Sequence, residues 1–183
     1  MKKLISILLC LSLLCGCAVS LAESAANQFT ATVRDRFRLV GPLPEGYQYS
    51  IVSQDDLTTR ALITSEDPAA PEMTLIISYN ESYGDIQRLN DLPDDQLELI
   101  KTGFSEMNEV TFDLRETSHG TRLLVVRETG ADQDFLDFYT IYLGHEVELR
   151  LAPGKGASDP TLTEEQIQKC ISFLSDLEFT PIG

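Results

Sequence analysis

The chain has 183 residues, of which 43% are hydrophobic and 23% charged, and its formal net charge at pH 7 is −15. This length fits one domain that can bury a sizeable core without a disulfide or metal. The acidic excess argues against nucleic acid as a partner and against direct adhesion to anionic lipid, because both rely on clustered lysine and arginine. Basic proteins, cationic peptides and divalent metals stay electrostatically compatible with the chain.

The first 22 residues have the three-part pattern of a bacterial export signal. Lys2 and Lys3 precede an apolar run over residues 4–14, which is too short to span a bilayer, since a spanning helix needs roughly 20 apolar residues. We therefore expect residues 1–22 to be a removed signal peptide and the protein to be extracytoplasmic. Without Lys2 and Lys3 the chain keeps 12 basic and 29 acidic residues, a balance of −17.

Two cleavage sites compete at the end of this signal. Residues 14–17 (Leu-Cys-Gly-Cys) resemble the bacterial lipobox, in which the last cysteine, here Cys17, is lipidated and becomes the new N-terminus. Cys15 departs from that pattern, because alanine, serine or threonine is usual at its position. Residues 20–22 (Ser-Leu-Ala) suit ordinary signal peptidase and would release a chain that begins at Glu23. We favour the lipobox, whose lipid would be the protein's sole attachment to a membrane.

After the signal, residues 23–28 are predicted to be a short polar tether and residues 29–183 a single domain. The first half of that domain predicts mainly strands, separated by turns rich in glycine and proline. The predicted strands cover residues 37–40, 47–53, 59–65 and 73–80. The last of these alternates apolar and polar side chains with the period of two that a sheet requires.

The first predicted helix opens near Pro93, which suits a first helical turn. Asp94 and Asp95 favour the positive end of its dipole. Apolar side chains then recur at helical spacing, at Leu97, Ile100, Phe104 and Met107.

The second half predicts more strands and a closing helix. Strands are predicted over residues 110–114, 123–126, 138–143 and 147–151, with a glycine-first hairpin turn at Gly144 and His145. Thr163 and Gln166 form a capping box before the last helix. The buried stripe of that helix is predicted to be Ile167, Cys170, Ile171, Leu174 and Leu177. Together these elements predict a layered α+β domain in which a central antiparallel sheet is flanked by two main helices.

The order of these elements resembles that of the PsbP-like fold, which includes the Ran-binding Mog proteins and the DcrB-type bacterial lipoproteins. The resemblance rests on a Leu-Pro-Glu-Gly-Tyr opening at residues 43–47, the run of strands, the acidic mid-chain helix, the long hairpin and the closing capped helix. It implies a central antiparallel sheet with flanking helices and a role in binding or assembly. It transfers no functional residue, because that family has no compact motif to match.

The two histidines belong to no recognisable catalytic motif. His119 lies in a Ser-His-Gly turn, and the sequence has no Gly-x-Ser-x-Gly elbow. His145 is predicted at a hairpin tip, and the zinc motif His-Glu-x-x-His fails because Leu149 stands where the second histidine belongs. We assign no catalytic residue and no cofactor, and we lean against an enzyme. A concave pocket that joins either histidine to a carboxylate would favour one.

Metal and thiol chemistry have few candidates. Asp132, Asp134 and Asp137 are candidate calcium ligands, because they cluster before a strand. The EF-hand register fails there, since Asp137 replaces the required glycine and Leu143 the required glutamate, so a solvated turn is the alternative. Cys170 is the sole cysteine outside the signal region, and its place on the apolar stripe predicts an inert core thiol without a disulfide.

Three functions follow from this sequence. The leading one is an exported, non-catalytic binding or assembly module of unknown ligand, either a cell-surface lipoprotein or a secreted protein. Its partner is a protein or peptide, cationic if electrostatics contributes to binding; the alternative is that the acidic charge serves solubility alone. The second is an extracytoplasmic hydrolase that uses dispersed residues, which leave no local signature. The third is a secreted inhibitor, which would present the loop over residues 152–163 rigidly to its target.

Overall fold

The structure, a computed structural model, describes residues 27–33, 36–105, 109–129 and 134–182. The signal peptide, Cys17 and most of the predicted tether lie outside these ranges. Among the described residues, no helix has the length and hydropathy needed to cross a bilayer.

Strands dominate the described part of the chain. The first five are β1 (Gln28–Val33), β2 (Phe37–Pro42), β3 (Tyr47–Gln54), β4 (Thr58–Ser65) and β5 (Glu72–Tyr79). The other five are β6 (Val110–Glu116), β7 (Arg122–Thr129), β8 (Asp134–Tyr142), β9 (His145–Ala152) and β10 (Glu178–Pro181). The two α-helices are α1 (Asp94–Ser105) and α2 (Glu164–Ser175), and 3-10 turns occupy Glu81–Tyr83 and Leu89–Asp91.

The strands form two antiparallel sheets. The large sheet has seven strands in the order β3-β4-β5-β9-β8-β7-β6, and the small sheet has the order β1-β2-β10. In the large sheet, β5 pairs with β9 and joins the hairpins of the first half to the meander of the second, with Met73 opposite Leu151. In the small sheet, β2 is central and pairs with β1 on one side and with the C-terminal β10 on the other.

One face of the large sheet packs against the small sheet and α2. Phe29 of β1 contacts Phe173 of α2 at a ring separation of 6.0 Å, and both belong to the main apolar core with Leu75 and Leu149 of the large sheet. The opposite face has a smaller core, in which Leu97 of α1 and the 3-10 turns pack over β7 and β8.

This arrangement confirms an α+β domain built on antiparallel sheet and corrects the predicted layers. The domain is not simply a central sheet between two helices, because a second, three-stranded sheet packs beside α2 on one face of the large sheet. Two strands of the small sheet, β1 and β10, were not predicted, and β10 has the weaker sequence signal. It is four residues long and contains Pro181, so it carries almost no periodic signal, yet it completes the small sheet beside β2.

The hairpin between β8 and β9 turns one residue earlier than predicted. Leu143 and Gly144 form its loop and both have positive φ, 49° and 73°, the combination that matches the twist of the flanking strands. Their amides donate to the carbonyls of Gln87 and Ile86, each at 2.9 Å. These bonds hold Leu143 in a backbone conformation that leucine rarely adopts. His145 therefore lies in β9, buried to 1% exposure, and not at a hairpin tip.

Candidate functional site

A cleft of about 390 Å³ lies between α2 and the loop at residues 67–71, over the end of the large sheet. Its volume falls within the roughly 300–1,000 Å³ of small-ligand pockets. The floor is apolar and consists of Met73, Leu151 and Cys170, each 2% exposed. Burial raises the pKa of the Cys170 thiol well above its usual range. The floor therefore offers a ligand an apolar surface, and its sulfur is a thiol rather than a reactive thiolate.

Tyr47 forms the corner of the cleft where β3 begins. Its hydroxyl donates to the carbonyl of Pro71 at 3.0 Å, which ties β3 to the 67–71 loop. Burial, with smaller contributions from Cys170 and Asp67, raises the pKa of Tyr47 to about 12. The ammonium of Lys169 stands 5.2 Å from the centre of the tyrosine ring. The hydroxyl of Tyr47 is therefore held by a hydrogen bond, and one face of its ring is covered by the Lys169 ammonium.

The loop wall of the cleft is held by backbone contacts. The Asp67 carboxylate accepts from the amide of Ala69 at 2.9 Å, and the carbonyl of Pro68 accepts from the amide of Gly156 at 2.8 Å. Gly154 lies so close to this loop that a Cβ there would stand 2.6 Å from the Pro68 carbonyl oxygen. Only glycine fits at that approach, so the absence of a side chain at position 154 lets the two segments pack closely.

The rim of the cleft carries more negative than positive charge. Asp67 lies on the loop side and Glu165 on the helix side, against Lys169 as the cation of the lining. The Lys169 ammonium is already placed 3.5 Å from the backbone carbonyl of Glu45 and over the Tyr47 ring. An apolar floor below an acidic rim suits a group that has both an apolar stem and a positive head.

Sequence reasoning did not find this cleft as a site, although one signal was available. The Leu-Pro-Glu-Gly-Tyr segment supplies Pro44 and Tyr47 to the lining. Within it Gly46 has a φ of 79°, which favours glycine and turns the chain into β3. The other wall comes from α2, more than 100 residues later, and no local pattern connects the two.

The predicted calcium ligands do not converge in the described structure. Asp134 and Asp137 are three positions apart on β8, so their side chains lie on opposite faces of the sheet. Asp137 accepts two hydrogen bonds from Arg150, at 2.7 and 2.9 Å, and Asp134 accepts one from Arg127 at 3.1 Å. Asp132 lies outside the described residues. Within those residues no three acidic, histidine or cysteine side chains are placed to hold a metal, so calcium binding stays a prediction.

Arg150 lies beside a groove of about 330 Å³ on the second face of the large sheet. Glu148 lines the same groove, and burial, followed by the charge of Asp137, raises its pKa. Arg150 also stands 3.6 Å from Glu128 and 5.1 Å from the centre of the Phe135 ring. Arg150 thus interacts with a group of partly or fully buried acids within the fold.

His119 lines a shallow concavity of about 480 Å³ together with Asp176 and Glu178. This is the kind of pocket that would favour an enzyme. The neighbouring Ser118 hydroxyl donates to the carbonyl of Ser175 at 2.6 Å, which directs its proton away from the histidine. In the described part of the chain, no hydrogen bond joins His119 to either carboxylate.

His145 occupies the interior and not a surface site. Its ring packs edge-on against Phe37 and Tyr79, at 5.2 and 5.3 Å. Its Nδ1 lies 2.9 Å from the carbonyl of Leu143, within its own hairpin.

The loop that an inhibitor would present is tied down near both ends. Gly154 and Gly156 contact the 67–71 loop, and Leu162 is buried in the main core. Residues 158–161 between these anchors are exposed.

No protein-family model matches the chain, and no curated protein matches its sequence. Among solved structures, the chain is similar to the solution structure of cyanobacterial PsbP (CyanoP) from Synechocystis sp. PCC 6803, with 14% sequence identity and a TM-score of 0.48. The match covers 86% of this chain and 95% of that one. The PsbP-like resemblance is confirmed as a weak likeness of fold, and the function of the cleft is argued from its own geometry.

Proposed function

We propose that this protein is an extracytoplasmic binding module that takes a cationic group of a protein or peptide partner into the cleft between α2 and the 67–71 loop. The observation that carries this proposal is the cleft's apolar floor under a rim where Asp67 and Glu165 outnumber Lys169. The balance of −17 expected after removal of the signal extends the same preference over the whole surface. The module does no chemistry of its own, since the cleft's buried thiol is protonated and its tyrosine is held by Pro71.

Export and anchoring belong to the proposal through residues 1–22. The favoured form is a lipoprotein whose lipid on Cys17 holds the domain at a membrane, and the rival form is secreted from Glu23. Both forms place the cleft outside the cytoplasm, where soluble basic proteins and peptides can reach it.

The test captures partners from the cell's own envelope fraction with tagged protein. Ala69 is exposed on the cleft's loop wall, so Ala69→Phe places a ring in the cleft, whereas Ser158→Phe adds the same ring at an exposed position outside it. We expect wild-type protein and Ser158→Phe to capture the same partner, which added salt releases because screening weakens charge pairing. We expect Ala69→Phe to lose the partner. Equal capture by Ala69→Phe would place the binding site elsewhere.

A second candidate function, hydrolysis, is favoured by the concavity that joins His119 to Asp176 and Glu178. A broad hydrolase screen of the purified protein separates the two functions, with His119→Ala as the variant. We expect no turnover. Turnover that disappears in His119→Ala would make the enzyme the leading function.

A further inference from the structure

Strand β3 is an edge of the large sheet that carries none of the usual protection of an edge. Its eight residues, Tyr-Gln-Tyr-Ser-Ile-Val-Ser-Gln, contain no charge and no proline, and among the described strands β4 is its one partner in the sheet. Natural proteins keep exposed edges from pairing with other chains by placing charges or proline there. Apart from the Tyr47 amide, which donates to the Pro44 carbonyl at 3.0 Å, this uncharged edge is therefore available for strand addition.

The opposite edge of the same sheet shows the contrast. Strand β6 includes Asp113, Arg115 and Glu116, and Arg115 pairs with Asp113 at 2.9 Å. Charged side chains of this kind oppose pairing with a further strand. Within one sheet, β6 is protected and β3 is not.

The β3–β4 hairpin also exposes apolar surface. Ile51 is 41% exposed, Val52 is 54% exposed and Leu57 is 60% exposed. The β3–β4 register shifts between Ile51 and Ser53, so the regular part of the edge runs over residues 47–51. The open edge and the uncovered apolar side chains lie on the same hairpin.

Acidic residues stand at both ends of this edge, and the cleft adjoins its first residue. Glu45 precedes the strand and Asp56 follows it, whereas the carboxylate of the intervening Asp55 accepts from the amides of Leu57 and Thr58 in its own turn, each at 2.8 Å. Tyr47 begins the regular part of the edge and forms the corner of the cleft. A residue paired with Tyr47 on an added strand would lie on the same face, next to the cleft.

From these observations we infer that β3 is a docking strand for an extended peptide of the partner, with an uncharged, β-prone centre and lysine or arginine at its ends. The peptide adds a strand beside residues 47–51, its backbone supplies the hydrogen bonds and its basic ends face the acids that flank β3. This inference deepens the proposed function and rests on it, since the docked strand delivers its side chain to the same cleft.

The experiment uses two synthetic peptides and the exported protein labelled for NMR. Both peptides alternate threonine with valine, and one has lysine at its ends where the other has glutamate. We expect the lysine-ended peptide to shift the amide signals of residues 47–51 most, and to bind about tenfold more tightly than the glutamate-ended peptide.

Two matched variants test the strand itself. Ser50 and Thr111 are exposed on β3 and β6 respectively, so Ser50→Lys and Thr111→Lys add the same charge to the two edges. Ser50→Lys should weaken binding of the lysine-ended peptide about tenfold, because it protects the edge and repels the peptide, and Thr111→Lys should leave binding unchanged.

Several results would overturn the inference. These are no shift of the amide signals with either peptide, shifts centred away from residues 47–51, or binding of the lysine-ended peptide by Ser50→Lys as tightly as by the wild-type protein. A protein that sediments as a dimer, and as a monomer when it carries Ser50→Lys, would show that a second copy occupies β3.

If any of these results occurs while capture from the envelope still depends on Ala69, the docking strand is wrong and the cleft stands as the binding site. Peptide binding at β3 without Ala69-dependent capture would instead reject the cleft.

Discussion

At the scale of single residues, Tyr47 connects the cleft to the edge strand through one hydrogen bond. Tyr47→Phe removes the bond to the Pro71 carbonyl and keeps the ring. We expect the free energy of unfolding to fall by about 1 kcal/mol, the usual net value of such a bond. Urea unfolding measures this, and an unchanged midpoint would show that the bond contributes nothing.

The raised pKa of Tyr47 also predicts how stability depends on pH. The hydroxyl holds its proton more tightly in the folded state, with a pKa of about 12 against 10.0 for the model phenol. The folded state therefore binds more protons than the unfolded state between these values, and stability is lost as pH rises from about 10 to about 12. We expect that loss to be smaller in Tyr47→Phe when both proteins are unfolded across this range. If the free energy of unfolding depended on pH in the same way in both proteins, the burial of this hydroxyl would be contradicted.

Cys170 is a second residue whose behaviour follows from burial. It lies 2% exposed on α2, and burial raises its pKa, so the reactive thiolate is scarce. We expect a thiol reagent to label protein that begins at Glu23 slowly until denaturant is added. Cys170→Ala should cost about 1 kcal/mol through lost volume. Fast labelling of the native protein would mean that the thiol reaches solvent.

The ion pair of Arg150 and Asp137 is the most costly one to break in the described structure. The Asp137 side chain is 1% exposed, so Arg150→Met leaves a buried carboxylate alone and should cost about 3 kcal/mol. Arg150→Met combined with Asp137→Leu should cost less than Arg150→Met alone. The control is Arg115→Met, whose partner Asp113 is 59% exposed and which should cost less than about 1 kcal/mol. Urea unfolding of the wild type and the three variants measures these costs and decides their order.

At the scale of elements, what the sequence predicted well was local. Thr163 and Gln166 make both bonds of the predicted capping box, at 2.8 and 3.3 Å. The alternation in β5 and the predicted stripe of α1 at Leu97, Ile100 and Phe104 also matched, whereas Met107, its predicted last member, lies outside the described residues. Each depends on residues within one or two turns of chain, whose periodicity the sequence displays directly.

The predictions that were wrong or missing concerned contacts between residues far apart in sequence or an unusual backbone conformation. Leu143 adopts a positive φ because residues 86 and 87 bind the hairpin tip, and a local turn rule cannot include them. The cleft brings Pro44 and Lys169 together across most of the domain. Neither Pro44 nor Lys169 belongs to a local sequence pattern that indicates its contact with the other.

Two glycines test the packing of elements with changes of opposite sign. Gly154 presses on the 67–71 loop, so Gly154→Ala should destabilise the protein by about 1–3 kcal/mol and distort the cleft wall. Gly103 is exposed in α1 with nothing within 4 Å of an added Cβ. Gly103→Ala should therefore stabilise the protein by about 0.5–1 kcal/mol through helix propensity. Thermal unfolding measures both, and a loss of stability in Gly103→Ala would contradict the open surroundings of that position.

At the scale of the whole molecule, processing decides where the domain works. The signal pattern predicts that Met1 is absent from the exported protein. Mass spectrometry of the cell-associated and secreted forms should find a lipidated N-terminus at Cys17. A free N-terminus at Glu23 would reject the lipoprotein form, and an exported protein that retains Met1 would reject the signal peptide itself.

The pairing of β2 with β10 has a consequence for how the chain reaches its native state. One of the two neighbours of β2 is made of residues 178–181, about 140 residues further along the chain. Closing so long a loop costs chain entropy before any contact returns it, and folds rich in such distant pairings fold slowly. Until β10 pairs with it, β2 has one unpaired edge. We therefore expect closure of the small sheet to be a late step in folding.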